Sequence, residues 1–358
     1  MNRTTGLILC WLAYSSAMAS EPAKQQSGIR HINHADLSQY ADSKGDLRPI
    51  QSVADWEIRR GQILEGVQKV MGSLPAKESK VPLDMKLHDE KIVGTLVRRK
   101  VTFQSDADDR VPAFVMFLRD ETRRHRPAVL CLHQTTAVGK DEPTGLRGDP
   151  ELRYALELAE RGYVVIAPDY PTFGEHPYDF QKNKRYVSGS MKAIWDNIRA
   201  VDLITTLPEV DPERIGVIGH SLGGHNAMFT ALFDPRLKAI VSSCGFTALR
   251  KDDLASWTGP TYMPRIASEF RNDIARMPFE FDEIVAALAP RAFFASAATQ
   301  DDDFDVSGVR DVIASAIPIY KRYEVPDRLV AYYPPTAHSF PRDARKQAYE
   351  FLDRILKP

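Results

Sequence analysis

A serine becomes a nucleophile when an imidazole takes its proton and a carboxylate orients that imidazole. The chain holds all three in positions that one fold can bring together. Gly219-His220-Ser221-Leu222-Gly223-Gly224 fits the pattern Gly-x-Ser-x-Gly. The residues before it, Arg214-Ile215-Gly216-Val217-Ile218, are short and apolar, as a buried strand needs. Those after it, His225 to Phe233, read as a helix. The serine therefore stands on a strand-to-helix turn, which is the context of a nucleophile elbow. So tight a turn admits only small residues at Gly219 and Gly223 and pushes Ser221 out above the sheet edge. Its hydroxyl then lies at a helix N-terminus, where the dipole and free N–H groups favour developing negative charge.

The expected base is His338. It follows the last predicted strand in the turn-rich loop Pro334-Pro335-Thr336-Ala337-His338-Ser339-Phe340-Pro341. The acid is expected after the preceding strand, where Ala292 to Ala298 runs into Thr299-Gln300-Asp301-Asp302-Asp303. Asp301 is nearest the strand end and is the expected partner of His338; the other two are solvated or bind a cation. A developing oxyanion needs two backbone donors. One is the N–H of Leu222. The other comes from the loop after Ala128 to Leu132, which reads His133-Gln134-Thr135-Thr136. His225, one helical turn past Ser221, either faces the pocket or packs under the elbow, and we favour the second. Glu175 and His176 either line the rim or are solvated.

The elements that must position these residues alternate in kind. Leu96 to Phe103 and Val111 to Leu118 read as an antiparallel pair joined by the acidic turn Asp106-Ala107-Asp108-Asp109. Strands then alternate with helices. The predicted strands are 128–132, 163–167, 214–218, 237–242, 291–296 and 329–333. The predicted helices are 151–161, 191–207, 225–233, 309–323 and 342–356. This alternation implies a mostly parallel sheet covered by helices on both faces, with ligands beyond the carboxyl ends of the strands. Ahead of it, Val53 to Met71 reads as a helix stopped by Gly72 and Pro75. The interval Phe246 to Pro290 is too long for a simple connection and reads as a lid-like insertion over Ser221. Within it Trp257, Tyr262 and Met263 either bind substrate or pin the insertion down.

Composition bounds the partners. The chain has 358 residues, is 43% hydrophobic and 27% charged, and carries a formal net charge of −1. That balance gives no footprint for nucleic acid or an anionic membrane surface. Arg3, the apolar run Gly6 to Tyr14 and the Ala17-Met18-Ala19 site read as a cleaved export signal over residues 1–19, with Ser20 the expected mature start. Residues 20–90 read as an N-terminal arm and helix, and 91–358 as the catalytic domain with the 246–290 insertion. No other stretch is long and apolar enough for a membrane span. Of three cysteines, Cys10 lies in the leader, and Cys131 and Cys244 read as buried free thiols. His31 and His34 lack a supporting carboxylate or cysteine cluster and read as solvated, so no metal and no cofactor is expected.

These motifs together resemble the α/β-hydrolase superfamily, and within it exported esterases similar to dienelactone hydrolases and acetyl xylan esterases. The matching segments are Leu132-His133-Gln134-Thr135, Gly162 to Tyr170, the elbow, and His338-Ser339-Phe340-Pro341. The resemblance runs from about Arg98 to the C-terminus and implies the chain order Ser221, Asp301, His338. It implies that His133 is the oxyanion-loop histidine and that the N–H of Thr135, or alternately Gln134, completes the hole. Two departures matter. Gln134 stands where the family usually has Gly, and Ser221 stands where dienelactone hydrolases have Cys, which implies ester hydrolysis rather than lactone opening. The expected activity is a secreted serine esterase acting on small-molecule or polysaccharide esters, acetyl esters among them. The competing readings are a prolyl-oligopeptidase-like peptidase and a binding protein on a hydrolase scaffold.

Overall fold

The computed structural model describes residues 32–120 and 125–357. The expected leader and its cleavage site, Cys10 and His31 lie outside them. The order is β1 (Gln39–Ala41), β2 (Leu47–Pro49), α1 (Val53–Met71), β3 (Lys86–Val93), β4 (Leu96–Asp106) and β5 (Asp109–Leu118). Next come β6 (Arg126–Leu132), α2 (Tyr154–Glu160), β7 (Val164–Pro168), α3 (Gly189–Ile204), β8 (Val210–His220), α4 (Leu222–Phe233) and β9 (Leu237–Ser243). Then follow α5 (Arg265–Ser268), α6 (Phe281–Ala287), β10 (Ala292–Ser296), α7 (Val306–Arg322), β11 (Leu329–Tyr332) and α8 (Arg342–Leu356).

Nine strands form one sheet in the order β11-β10-β9-β8-β6-β7-β5-β4-β3. The strands from β6 to β11 are mutually parallel, and β5, β4 and β3 run antiparallel along one side. Because successive strand side chains point to opposite faces, each strand feeds two cores. Along β6, Ala128, Leu130 and Leu132 join a core that also takes α1, α3, α4, α6 and α7. Val129 and Cys131 point the other way, into a smaller core closed by α2 and α8. The expected sheet covered on both faces is therefore the observed one, and the molecule has the α/β-hydrolase fold. Cys131 and Cys244 are both buried free thiols.

The differences have physical reasons. The edge strand β3 went unread because KLHDEKIV has no two-residue apolar period, and every residue in it is exposed; its charges suit an unpaired sheet edge. The acidic turn between β4 and β5 is not simply solvated. Asp106 is buried and accepts from Tyr186 Oη at 2.9 Å. Asp109 is held by Lys192 Nζ at 2.6 Å and by His176 at 3.1 Å. Burial opposes ionisation of Asp109, but these two partners outweigh it and keep its carboxyl well below the usual range.

The N-terminal arm is pinned as well. Trp56, Ile63, Val67, Val70 and Met71 of α1 enter the larger core. Arg59 and Glu283 of α6 form an ion pair that is almost fully buried. His34, expected to be solvated, is half-buried and lies 3.0 Å from the same Glu283. Breaking a buried pair strands a charge away from water. Arg59→Ala should therefore cost about 3–5 kcal/mol of stability in urea denaturation. Lys182→Ala, at an exposed pair with Asp179, should change it by less than about 1 kcal/mol.

Candidate active site

The parallel register brings the strand ends into one row. Leu132 pairs with Gly219, His220 with Ser243, Ser243 with Ser296, and Ser296 with Tyr332. The loops that carry the sequence-predicted site residues leave from this row. Ser221 has φ 52° and ψ −121°, a left-handed conformation that costs a non-glycine residue on the order of 1–3 kcal/mol. Its N–H donates to the Ser243 carbonyl at 2.8 Å, which fixes the turn to β9. A Cβ at Gly219 would fall under 3.0 Å from the Gly223 backbone, and one at Gly223 would strike the carbonyls of Leu132 and His133. Both glycines are thus required by close backbone approach. Ser221 Oγ does not cap α4, and Leu222 N–H opens the helix, where no intrahelical acceptor exists for it.

His338 and Asp301 meet because pairing continues past the strands. Thr299 N–H donates to the Pro334 carbonyl at 2.9 Å and Gln300 N–H to that of Thr336 at 3.0 Å. His338 Nδ1 lies 3.0 Å from both carboxylate oxygens of Asp301. Asp301 Oδ1 also accepts the N–H groups of Asp303 and Phe304, at 2.9 and 3.1 Å. Of the three adjacent aspartates, then, Asp301 orients the imidazole from a nearly buried position. The exposed Asp303 lies 3.7 Å from Nε2, the opposite ring nitrogen. His338 hydrogen-bonds to Asp301 and not to Ser221. Burial disfavours its charged form, but the Asp301 hydrogen bond and charge, with Asp303 and Asp302 adding, outweigh that and raise its pKa above the ordinary value. His220 packs on the same ring, with centroids 4.9 Å apart. Burial and the neighbouring His338 push His220 down to about 3, so it stays neutral.

The expected oxyanion loop is braced from beneath. His133 Nε2 accepts the Tyr170 N–H at 3.0 Å, so Nδ1 carries the proton and donates to the Gln134 carbonyl at 2.6 Å. Tyr154 Oη donates to the Leu132 carbonyl. Buried Lys140 bonds to buried Asp169 through both its amide and its Nζ, at 2.8 and 2.6 Å, tying the loop after β6 to the loop after β7. Sequence reading missed this pair, since lysine and aspartate 29 positions apart carry no local signal. Glu175 belongs with it, 2.7 Å from Lys140, and His176 is buried against Asp109. Neither lines the catalytic cavity.

Ser221, Leu222, Thr135 and Asp301 open onto a cavity of about 620 Å³. The insertion supplies one wall, from Lys251 through Trp257 to Tyr262. The 246–290 insertion expected to be lid-like borders the Ser221 cavity and is also packed into the body of the fold. Phe246, Met263, Ile266, Phe279 and Phe281 are core residues, and α6 is an integral layer of the fold. Trp257 lines the cavity yet is only 4% exposed. Its Nε1 donates to Asp252 at 2.9 Å, and its ring packs on Phe281 and Phe304. Tyr262 is half-buried, and its hydroxyl lies 2.9 Å from Thr135 Oγ1, so it joins the insertion to the oxyanion loop. His225, expected under the elbow, also lines the cavity.

The profile of the prolyl oligopeptidase family matches residues 150–357, more than half of the chain. The chain belongs to the prolyl oligopeptidase family. As a member it resembles YtaP of Bacillus subtilis (strain 168), named as a hydrolase. The two are 25% identical over 306 residues, covering 80% of this chain and 97% of that one. The chain spans under half the length of the next curated relatives it matches. Among solved structures it is similar to a glucuronoyl esterase from Solibacter usitatus, with TM-score 0.71 and 18% identity, covering 92% of this chain and 99% of that one. A Bacteroides fragilis protein assigned as an acetyl xylan esterase gives TM-score 0.60 and 21% identity, covering 79% and 76%. This family member has the hydrolase fold of those structures, and its relatives make it a hydrolase.

Two outcomes are expected at this site. In an NMR titration, His338 should titrate above 6.5. Asp303→Asn should lower its pKa slightly and Asp301→Asn more, because each removes negative charge that favours the imidazolium; an unmoved His338 in Asp301→Asn would contradict the pairing. Trp257→Ala should cost about 3–5 kcal/mol in denaturant unfolding, as for a large buried aromatic.

Proposed function

We propose that this chain is an exported serine esterase that cleaves neutral carboxylic esters, acetyl or related esters on carbohydrate, through an acyl-enzyme. The observation that carries the reading is the convergence at one sheet edge of a strained Ser221 opening onto a cavity and a His338 held by Asp301. In this reading Ser221 Oγ attacks the ester carbonyl carbon while His338 Nε2 takes its proton. The N–H groups of Leu222 and Thr135 donate hydrogen bonds to the oxyanion. Collapse breaks the bond to the alcohol oxygen, which leaves with the proton from His338. Water, deprotonated by His338, then attacks the acyl carbon, and the acid departs as Ser221 recovers its proton. The hydrogen bond between Ser221 and His338 forms when substrate closes the site, since such bonds are often loose without it.

The cavity's charge supports a neutral ester. Asp252, Asp253, Asp301, Asp302, Asp303 and Asp305 line it against a single lysine, Lys251. An anionic acyl group would be repelled, and the carboxylate product is helped to leave. The structural neighbours named as glucuronoyl and acetyl xylan esterases support carbohydrate esters as the class to test. The leader read over residues 1–19 supports export, and among the described residues no helix is long and apolar enough to cross a membrane. The family match favours one second reading, peptide hydrolysis by the same residues.

Purified protein should hydrolyse p-nitrophenyl acetate and leave a matched p-nitroanilide nearly untouched; the reverse order would favour the peptidase. Ser221→Ala and His338→Ala should each lower kcat by about 10⁴- to 10⁶-fold with folding intact. A serine-reactive phosphonate should label Ser221 alone. The acid limb of kcat/KM should lie above pH 6.5, because His338 must be neutral to act as base and its pKa is raised. Wild-type turnover in folded Ser221→Ala would defeat the mechanism.

A further inference from the structure

His225 is a buried polar side chain at this cavity that neither the elbow nor the His338–Asp301 pair uses. It lies one turn beyond Ser221 on α4 and lines the same cavity. Residues four apart share a helix face, so the ring and Ser221 open onto the cavity from the same side of α4. It is 4% exposed, and neither ring nitrogen has a hydrogen-bond partner among the described residues. Apolar and aromatic rings hold it instead. Trp257 is 4.9 Å away between centroids, Phe229 5.9 Å and Tyr262 6.5 Å. A phenylalanine would fill this site without leaving polar atoms unsatisfied; the Gly245 backbone bears on one side of the imidazole, and the other ring nitrogen asks for a partner from outside the chain. Burial pushes its pKa down to about 3, slightly opposed by the Gly245 backbone. The ring is thus neutral at every pH where His338 can act as base, with one donor and one acceptor.

We propose that His225 determines substrate specificity by hydrogen-bonding a hydroxyl group of the ester, close to the carbonyl that Ser221 attacks. The inference rests on the esterase reading and deepens it to esters of polyhydroxylated compounds. A hydroxyl both donates and accepts, so it satisfies whichever ring nitrogen faces the cavity. A carboxylate would meet only the N–H, and it would face the aspartates of the wall. An ammonium group would meet only the lone pair and leave the N–H bare. The hydroxyl can belong to the acyl part or to the alcohol part of the ester, and the two sources separate experimentally.

The test compares kcat/KM on three neutral probes. p-Nitrophenyl acetate carries no hydroxyl, methyl glucuronate carries hydroxyls on its acyl part, and methyl 2-O-acetyl-xyloside carries them on its alcohol part. The measured quantity is each hydroxylated ester's kcat/KM divided by that for p-nitrophenyl acetate, a ratio from which the fraction of active enzyme cancels. His225→Phe should lower this ratio by about 10- to 100-fold for one hydroxylated ester, which identifies the side that His225 contacts. His225→Gln, which keeps a donor and an acceptor, should restore most of it. If His225→Phe does not fold, His225→Leu carries the same comparison. An unchanged ratio for both hydroxylated esters overturns the inference, as does wild-type turnover of p-nitrophenyl acetate with neither sugar ester accepted. Loss of all ester hydrolysis in the wild type would instead defeat the esterase reading itself.

Discussion

The close approach of three backbone segments at the turn after β8 is the constraint on which the site depends. Gly219 touches Gly223, and Gly223 lies against the carbonyls of Leu132 and His133 at distances that leave no room for a Cβ. This contact does two things at once. It forces Ser221 into a left-handed conformation that lifts its hydroxyl above the sheet, and it sets the first turn of α4 beside the loop after β6. The Ser221 hydroxyl and the loop after β6 are thus placed by one steric fact. Strain at Ser221 is tolerated because its N–H is tied to Ser243 and because α4 is buried along nearly its whole length; a strained residue persists where its surroundings over-determine it.

Charges fix what sterics leave loose, and they do so with buried cations set among carboxylates. Lys140 ties the oxyanion loop to Asp169, Lys192 gathers Asp109 and Asp196 at the β4–β5 turn, and Arg59 joins α1 to Glu283. Such pairs do not by themselves make a fold more stable than an apolar packing would. Their use here is positional, since each connects a loop or arm to an element far away in sequence. The histidines divide by the same logic. His133, His220 and His225 are buried, and burial lowers their pKa values. His338, half-open and beside Asp301, is the one whose pKa is raised. The imidazole favoured in its charged form thus packs on one, His220, that burial holds neutral.

The family match and the structural likeness cover different extents of the chain. The prolyl oligopeptidase match begins at residue 150 and covers Ser221, Asp301 and His338. The likeness to glucuronoyl and acetyl xylan esterases extends over most of the chain. One wall of this cavity is built by the Lys251–Tyr262 stretch, with Asp252 and Asp253, and the loop after β10 adds Asp301, Asp302, Asp303 and Asp305. That wall is rooted in the main core through Trp257 and Met263.

The sequence by itself determined the elements and the order of the reactive residues. Apolar runs bounded by turn residues marked the parallel strands, the helix Val53–Met71 was readable to the residue, and Gly-x-Ser-x-Gly on a strand-to-helix turn marked the nucleophile. These are local signals, carried within one element. Tertiary structure alone decided the rest. It selected Asp301 over its neighbours, because the loops after β10 and β11 pair past their strand ends. It packed much of the 246–290 segment into the core, because its apolar residues meet α1, α4 and α7. It turned His225 toward the cavity, and it joined Lys140 to Asp169 across 29 positions. Each of these depends on which non-neighbouring surfaces come together, and a periodicity confined to one segment holds no information about its partner.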